Sequence, residues 1–255
     1  MKRVFVTGAD RGLGASFAKL LLQDGWKVFA GRYMSNWHEL DDLKSAYKNQ
    51  LVIIPLDVSS DESVDQAFST VKEQVDGLEM VINNAAIMPS TFVKSDGEIT
   101  DRTGDENIFI RPDTALFAKL YNVNSLGPLR VTNRFIELLI KGEGEKTLLN
   151  VSSEAGSMTD QWCKRDYQIG YCMTKAALNV QSVIVQNCLE PYGVKVLIVN
   201  PGGMKSYILN GTKREGKGLV EPDDSARNLL KLVKEHRKID INEMYYDWTG
   251  RKLTW

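Results

Sequence analysis

The stretch VFVTGADRGLG, residues 4–14, begins as an apolar, β-branched strand and turns through Gly8, Gly12 and Gly14 into the helical pattern GASFAKLLLQDG. Such a turn points the first peptide N–H groups of the helix outward, where a pyrophosphate can sit. Leu13 lies in the same turn between two of the glycines. Taken alone, these glycines would also suit a tight turn with close helix packing, so the rest of the chain has to decide.

Working outward, short apolar runs recur at RVFV, KVFA, LVIIPL, LEMVIN, TLLNVS, VKVLIVN and EMYYDW, each of strand length. Between them GASFAKLLLQDG, ESVDQAFSTVKEQVDG, ALFAKLYNVNSLGPLRVTNRFIELLIKG and DDSARNLLKLVKEH repeat apolar residues at spacings of three and four, as amphipathic helices do. Strand alternating with helix predicts right-handed crossovers and a parallel sheet covered on both faces. With no linker-like stretch, residues 1–255 read as one domain. Residues 88–113, 154–168 around Trp162, and 207–222 read as loops after strands, where such sheets bind ligands.

Composition narrows the partners. The 32 basic residues balance 33 acidic ones, and no apolar run reaches a membrane-spanning length, so neither nucleic acid nor membrane is expected. A strand that starts at Lys2 leaves no room for a signal peptide, and a cytoplasmic location is the expectation. Cys163, Cys172 and Cys188, with only His38 and His236 beside them, lack metal-ligand spacing and read as free thiols rather than a zinc site.

The second strand ends VFAGRY, with Gly31 and Arg32 where many dinucleotide folds place an acid to hold the ribose 2′-hydroxyl. Arg32 can take a 2′-phosphate in a charge-assisted fork, and Arg11 in the glycine turn can reach it from the other side. The pair predicts NADP, with NADPH favoured over NADH, although either arginine alone could be a solvated surface charge. Asp57 and Val58, in PLDVSS, offer an acceptor for the adenine amino group and an apolar wall; Asp57 could equally serve as a helix cap.

YCMTK, residues 171–175, sets Tyr171 and Lys175 one helical turn apart on a single face. An ammonium close to a phenol favours the phenolate, making the tyrosine a usable acid or base near neutrality. NVSSEAG ends a strand with Ser153, or second to it Ser152, able to donate to a substrate carbonyl as negative charge develops. The plain alternative is an amphipathic tyrosine, a surface lysine and turn-forming serines.

Taken in order, TGADRGLG, LDV at 56, NNAA at 83, NVNSLGP at 122, NVSS at 150, YCMTK at 171 and PGG at 201 resemble the short-chain dehydrogenase/reductase family, in its single-domain branch, over nearly the whole chain. The resemblance implies a Rossmann-type α/β fold, a doubly wound parallel sheet of about seven strands with helices on both faces. It implies a catalytic tetrad of Asn124, Ser153, Tyr171 and Lys175, with Asn124 holding a water that relays protons to Lys175, which also binds the nicotinamide ribose. It places Asn84, Ala85 and Ala86 on the nicotinamide side of the cofactor, and Pro201, Gly202 and Ser206 at its carboxamide.

Several positions depart from the family pattern: Ala86 replaces a glycine, Gly203 stands where bulkier residues are usual, and the connection from Ser153 to Tyr171 is long. The ending YYDWTGRKLTW looks most like C-factor and sniffer-type carbonyl reductases. The family further implies a homodimer or homotetramer and a small carbonyl or alcohol substrate. The rival to an oxidoreductase is a catalytically silent NADP-binding sensor; a serine hydrolase would need a Gly-x-Ser-x-Gly elbow, which is absent.

Overall fold

The computed structural model describes residues 1–88, 92–93, 99–100, 114–159, 168–208, 213–236 and 240–255. Arg102, Arg111, Trp162 and Arg165, in the loops expected to shape the pocket mouth, lie outside them, as does Cys163.

Seven strands form one wholly parallel sheet: β1 (Arg3–Val6), β2 (Lys27–Arg32), β3 (Leu51–Pro55), β4 (Met80–Asn83), β7 (Lys146–Val151), β8 (Val194–Asn200) and β9 (Tyr245–Asp247). Their order is β3-β2-β1-β4-β7-β8-β9, and the direction of winding reverses between β1 and β4. A short antiparallel ribbon, β5 (Phe92–Val93) with β6 (Ile99–Thr100), interrupts the stretch expected to be loop. The doubly wound α/β expectation is what the chain adopts.

Side chains of a strand alternate between faces. Val4 and Val6 pack with Phe17, Leu21 and Leu22 of α1 (Gly12–Gln23) and with Leu229 and Val233 of α7 (Pro222–Glu235). Phe5, between them, packs with Phe68 and Val71 of α3 (Asp61–Lys72) and with Phe135 and Leu138 of α5 (Gly127–Lys141). These two apolar layers sandwich the sheet and leave its strand ends, where the loops are, to carry polar chemistry.

Two helical features were not legible in the pattern. A short α2 (Glu39–Ala46) buries only Leu40, which is too little for a periodic signal. The long helix expected across residues 115–142 is broken into α4 (Thr114–Tyr121), a π-type turn over Asn122–Leu126, and α5. Such a turn adds a residue to the spiral without disturbing the apolar count, and π turns cluster at functional sites.

Candidate active site

The glycine turn, Arg32, Asp57, Asn84, Ser153 and Pro201 lie at or just beyond the carboxyl ends of β1, β2, β3, β4, β7 and β8, on the side where open parallel sheets bind ligands, while Asn124, Tyr171 and Lys175 come from helical segments. The glycine turn follows β1. Gly8 adopts φ +60°, and a Cβ there would stand 2.8 Å from the Cα of Ala85. Only glycine satisfies both demands. Gly12, at φ +56°, instead opens onto space bounded at 4.0 Å by the Cβ of Ser206. Loops after β1 and β8 thus face each other across a groove.

Helix α1 starts without a side-chain cap or an acid in its first turn, whereas α3 is capped by Ser60, whose hydroxyl accepts from Ser63 N. Uncapped N–H groups in a glycine cradle are the donor set a diphosphate requires. The residues present therefore fit a dinucleotide. Asn84 acts from beneath: its Nδ2 donates to the carbonyls of Thr7 and Gly8 at 3.0 and 2.9 Å. Thr7 Oγ1 accepts in turn from the main chain of Asn84 and Ala85. Asn84 and Ala85 hold the loop's shape, with Ala86 following them at the strand end.

The arginines are already engaged. Arg32 donates through Nη1 to both oxygens of Asp41, and Arg11 donates to Met34 Sδ at 2.7 Å while its guanidinium lies 4.9 Å from the centre of the Trp37 ring. Trp37 also meets Tyr207 at 4.5 Å, joining the loop after β2 to the loop after β8. Asp57 accepts from the Ser59 amide and hydroxyl through Oδ1 in the turn before α3, whose cap is Ser60 instead, and leaves Oδ2 for a ligand. Val58 is buried against Gly127 of α5, so its side chain contributes to packing. Gly202, at φ +80° after Pro201, lies so close to Trp248 that a Cβ would come within 2.7 Å of the indole.

Tyr171 and Lys175 lie in the first two turns of α6 (Ile169–Leu189), both buried, with the lysine Nζ 5.6 Å from the centre of the tyrosine ring. The ring packs with Met88 and with Ala155, two residues beyond Ser153. Lys175 Nζ donates to the Val151 carbonyl at 2.9 Å, and burial lowers its pKa from 10.5 to about 7. Near neutrality the lysine therefore gains and loses a proton readily, which suits a relay.

The two serines separate cleanly. Ser152 is 2% exposed and donates to Asn179 Oδ1 at 2.6 Å, so its hydroxyl is committed to the core. Ser153 is only partly buried and accepts from the Ala155 amide, which leaves its own O–H to donate. Its main-chain carbonyl accepts from the Tyr245 hydroxyl at 2.7 Å, a contact across the sheet edge that no sequence spacing announces. Tyr245 is stacked on Trp255, whose main-chain oxygen accepts from Thr159.

Asn124 sits inside the π turn. Its Oδ1 accepts from Ile87 N, and Nδ2 donates to Ile87 O and to Thr174 Oγ1, spending both amide hydrogens. The side chain therefore pins the π turn to the strand end after β4 and to α6. A water held by Asn124 would need its main-chain carbonyl.

A family model described as short chain dehydrogenase matches residues 2–217. The chain belongs to the short-chain dehydrogenase family. Members of that family use NAD(P), in keeping with the glycine cradle. Among curated short-chain dehydrogenases, estradiol 17-beta-dehydrogenase 2 of Mus musculus is 32% identical over 246 residues, covering 96% of this chain and 56% of its own. Mitochondrial D-beta-hydroxybutyrate dehydrogenase of Bos taurus is 32% identical, over 84% of this chain and 58% of its own. The chain thus spans just over half the length of these relatives.

Among solved structures, the NADPH-bound carbonyl reductase from chicken fatty liver superposes with a TM-score of 0.82 at 26% identity, over 100% of this short-chain dehydrogenase and 99% of that chain. Carbonyl reductase Sniffer of D. melanogaster, 20% identical with a TM-score of 0.82 over the whole of both chains, shares the fold. Among the described residues no helix is long and apolar enough to cross a membrane, and no group of His, Cys, Asp or Glu could hold a metal ion.

Proposed function

We propose that the chain is an NADP(H)-dependent oxidoreductase that interconverts a small-molecule carbonyl and an alcohol, with Tyr171 as the general acid and base. The observation that carries this reading is the buried Tyr171–Lys175 pair on one face of α6, packed against the turn that bears Ser153. The bound dinucleotide supplies or accepts the hydride. Ser153 donates to the carbonyl oxygen and stabilises the charge that grows there. Tyr171 gives that oxygen its proton, and Lys175, whose pKa near 7 lets it exchange protons at working pH, restores it with the main chain of Asn124. In the alcohol direction the same groups run in reverse.

The choice of NADP rests on Arg32 at the end of β2, on Arg11 across the turn, and on the likeness to an NADPH-bound carbonyl reductase. A homodimer or homotetramer in the cytoplasm completes the reading. Met173, Val180 and Ile184, each more than half exposed along the outer face of α6, support the assembly. A monomeric mass by light scattering would end that part of it.

The test is oxidation of NADPH and NADH over aldehydes, quinones, ketosteroids and keto acids, with Tyr171→Phe alongside. Loss of general acid catalysis costs about 10²- to 10⁴-fold in turnover, with NADPH affinity preserved. NADPH binding with no tyrosine-dependent turnover on any substrate would favour the silent sensor instead.

A further inference from the structure

Arg32 has a partner in this structure, Asp41. From the first turn of α2 it receives Arg32 Nη1 on both oxygens, at 2.9 and 3.1 Å. Folding gives little reason for the pair. The Asp41 side chain is 47% exposed, and such surface pairs contribute little to stability. Glu39 and Asp42 already supply the acids that favour a helix N-terminus. On its other flank Asp41 Oδ2 lies 3.5 Å from His38 Nδ1, a second polar partner should Arg32 turn away. Arg11 offers no uncompensated substitute, since Asp10 lies 3.7 Å from its Nη1.

Resting on the reading that Arg32 meets the ribose 2′ position, we propose that Asp41 is a built-in competitor for that arginine and sets how far the site prefers NADPH to NADH. A 2′-phosphate and the Asp41 carboxylate seek the same guanidinium and repel each other, so NADPH binds either against that repulsion, through the Nε and Nη2 that Asp41 does not engage, or by displacing the pair. A 2′-hydroxyl brings no charge. It meets a neutralised arginine and, in Asp41, a carboxylate of the kind that accepts from this hydroxyl in NAD-binding sites. Asp41 thereby handicaps NADPH and spares NADH, leaving the site open to both nucleotides.

The test is equilibrium titration of NADPH and NADH, followed by nucleotide fluorescence, on the wild-type chain, Asp41→Asn and Asp42→Asn. Asp42→Asn makes the same charge change one residue away, at an exposed side chain with no bond to Arg32. Asp41→Asn should tighten NADPH about 3- to 10-fold at low salt, leave NADH unchanged or weaker, and lose most of its gain in about 0.5 M salt. Asp42→Asn should give less than half that gain. Equal tightening of both nucleotides, equal gains from the two variants, or no gain at all would overturn the role of Asp41 while leaving NADP binding intact. A wild-type chain that binds neither nucleotide would remove the cofactor reading and this inference with it.

Discussion

Replacing Lys175 by methionine should change the way stability depends on pH, and the size of the effect follows from the structure. Lys175 is 2% exposed, and burial brings its pKa from 10.5 to about 7. Between those values the unfolded chain carries a proton on this lysine that the folded chain does not. Stability therefore rises with pH across that window, is fullest above 10.5, and is lost as pH falls towards 7. Raising pH from 7.5 to 9.5 should stabilise the wild type by about 2 kcal/mol more than Lys175→Met, which has no proton to exchange.

Methionine fills similar space but forfeits the hydrogen bond to the Val151 carbonyl, a loss of about 1 kcal/mol that does not vary with pH. The assay is urea unfolding of the cofactor-free protein at four pH values, comparing the two curves so that all other titrating groups cancel. Parallel curves would refute the claim that burial discharges Lys175, and with it the argument for a neutral-pH relay.

Gly14→Ala should weaken dinucleotide binding at least tenfold and lower the melting temperature. Its Cβ would lie 2.1 Å from the Gly8 carbonyl oxygen and 2.6 Å from Asn84 Nδ2, and overpacking of this kind costs about 1–3 kcal/mol. Calorimetric titration with NADPH checks it, and unaltered affinity would mean that the glycine cradle is not the binding site. Tyr245→Phe removes one of the two donors to the Ser153 carbonyl and leaves only the Gly156 amide, so stability should fall by about 1 kcal/mol and turnover severalfold, with NADPH affinity unchanged. Equal turnover would reduce Tyr245 to a core residue.

What the sequence by itself determined is whatever a local pattern can carry. Apolar strands alternating with amphipathic helices point to a parallel sheet covered by helices, because that arrangement buries both kinds of face. Gly8 and Gly12 were legible because the turn after β1 demands positive φ, and Tyr171 with Lys175 because a helix returns to the same face after four residues. Tertiary structure decided the rest, since packing brings together groups distant in the chain. It placed Asn179 against Ser152 and Tyr245 beneath Ser153, and it put Asp41 on Arg32 and Trp37 on Tyr207. It also buried Lys175, turning a charge that the spacing implied into a proton carrier poised near neutrality. Hydrogen-bond partners and desolvation belong to the assembled sheet edge, so no periodicity in the chain could have announced them.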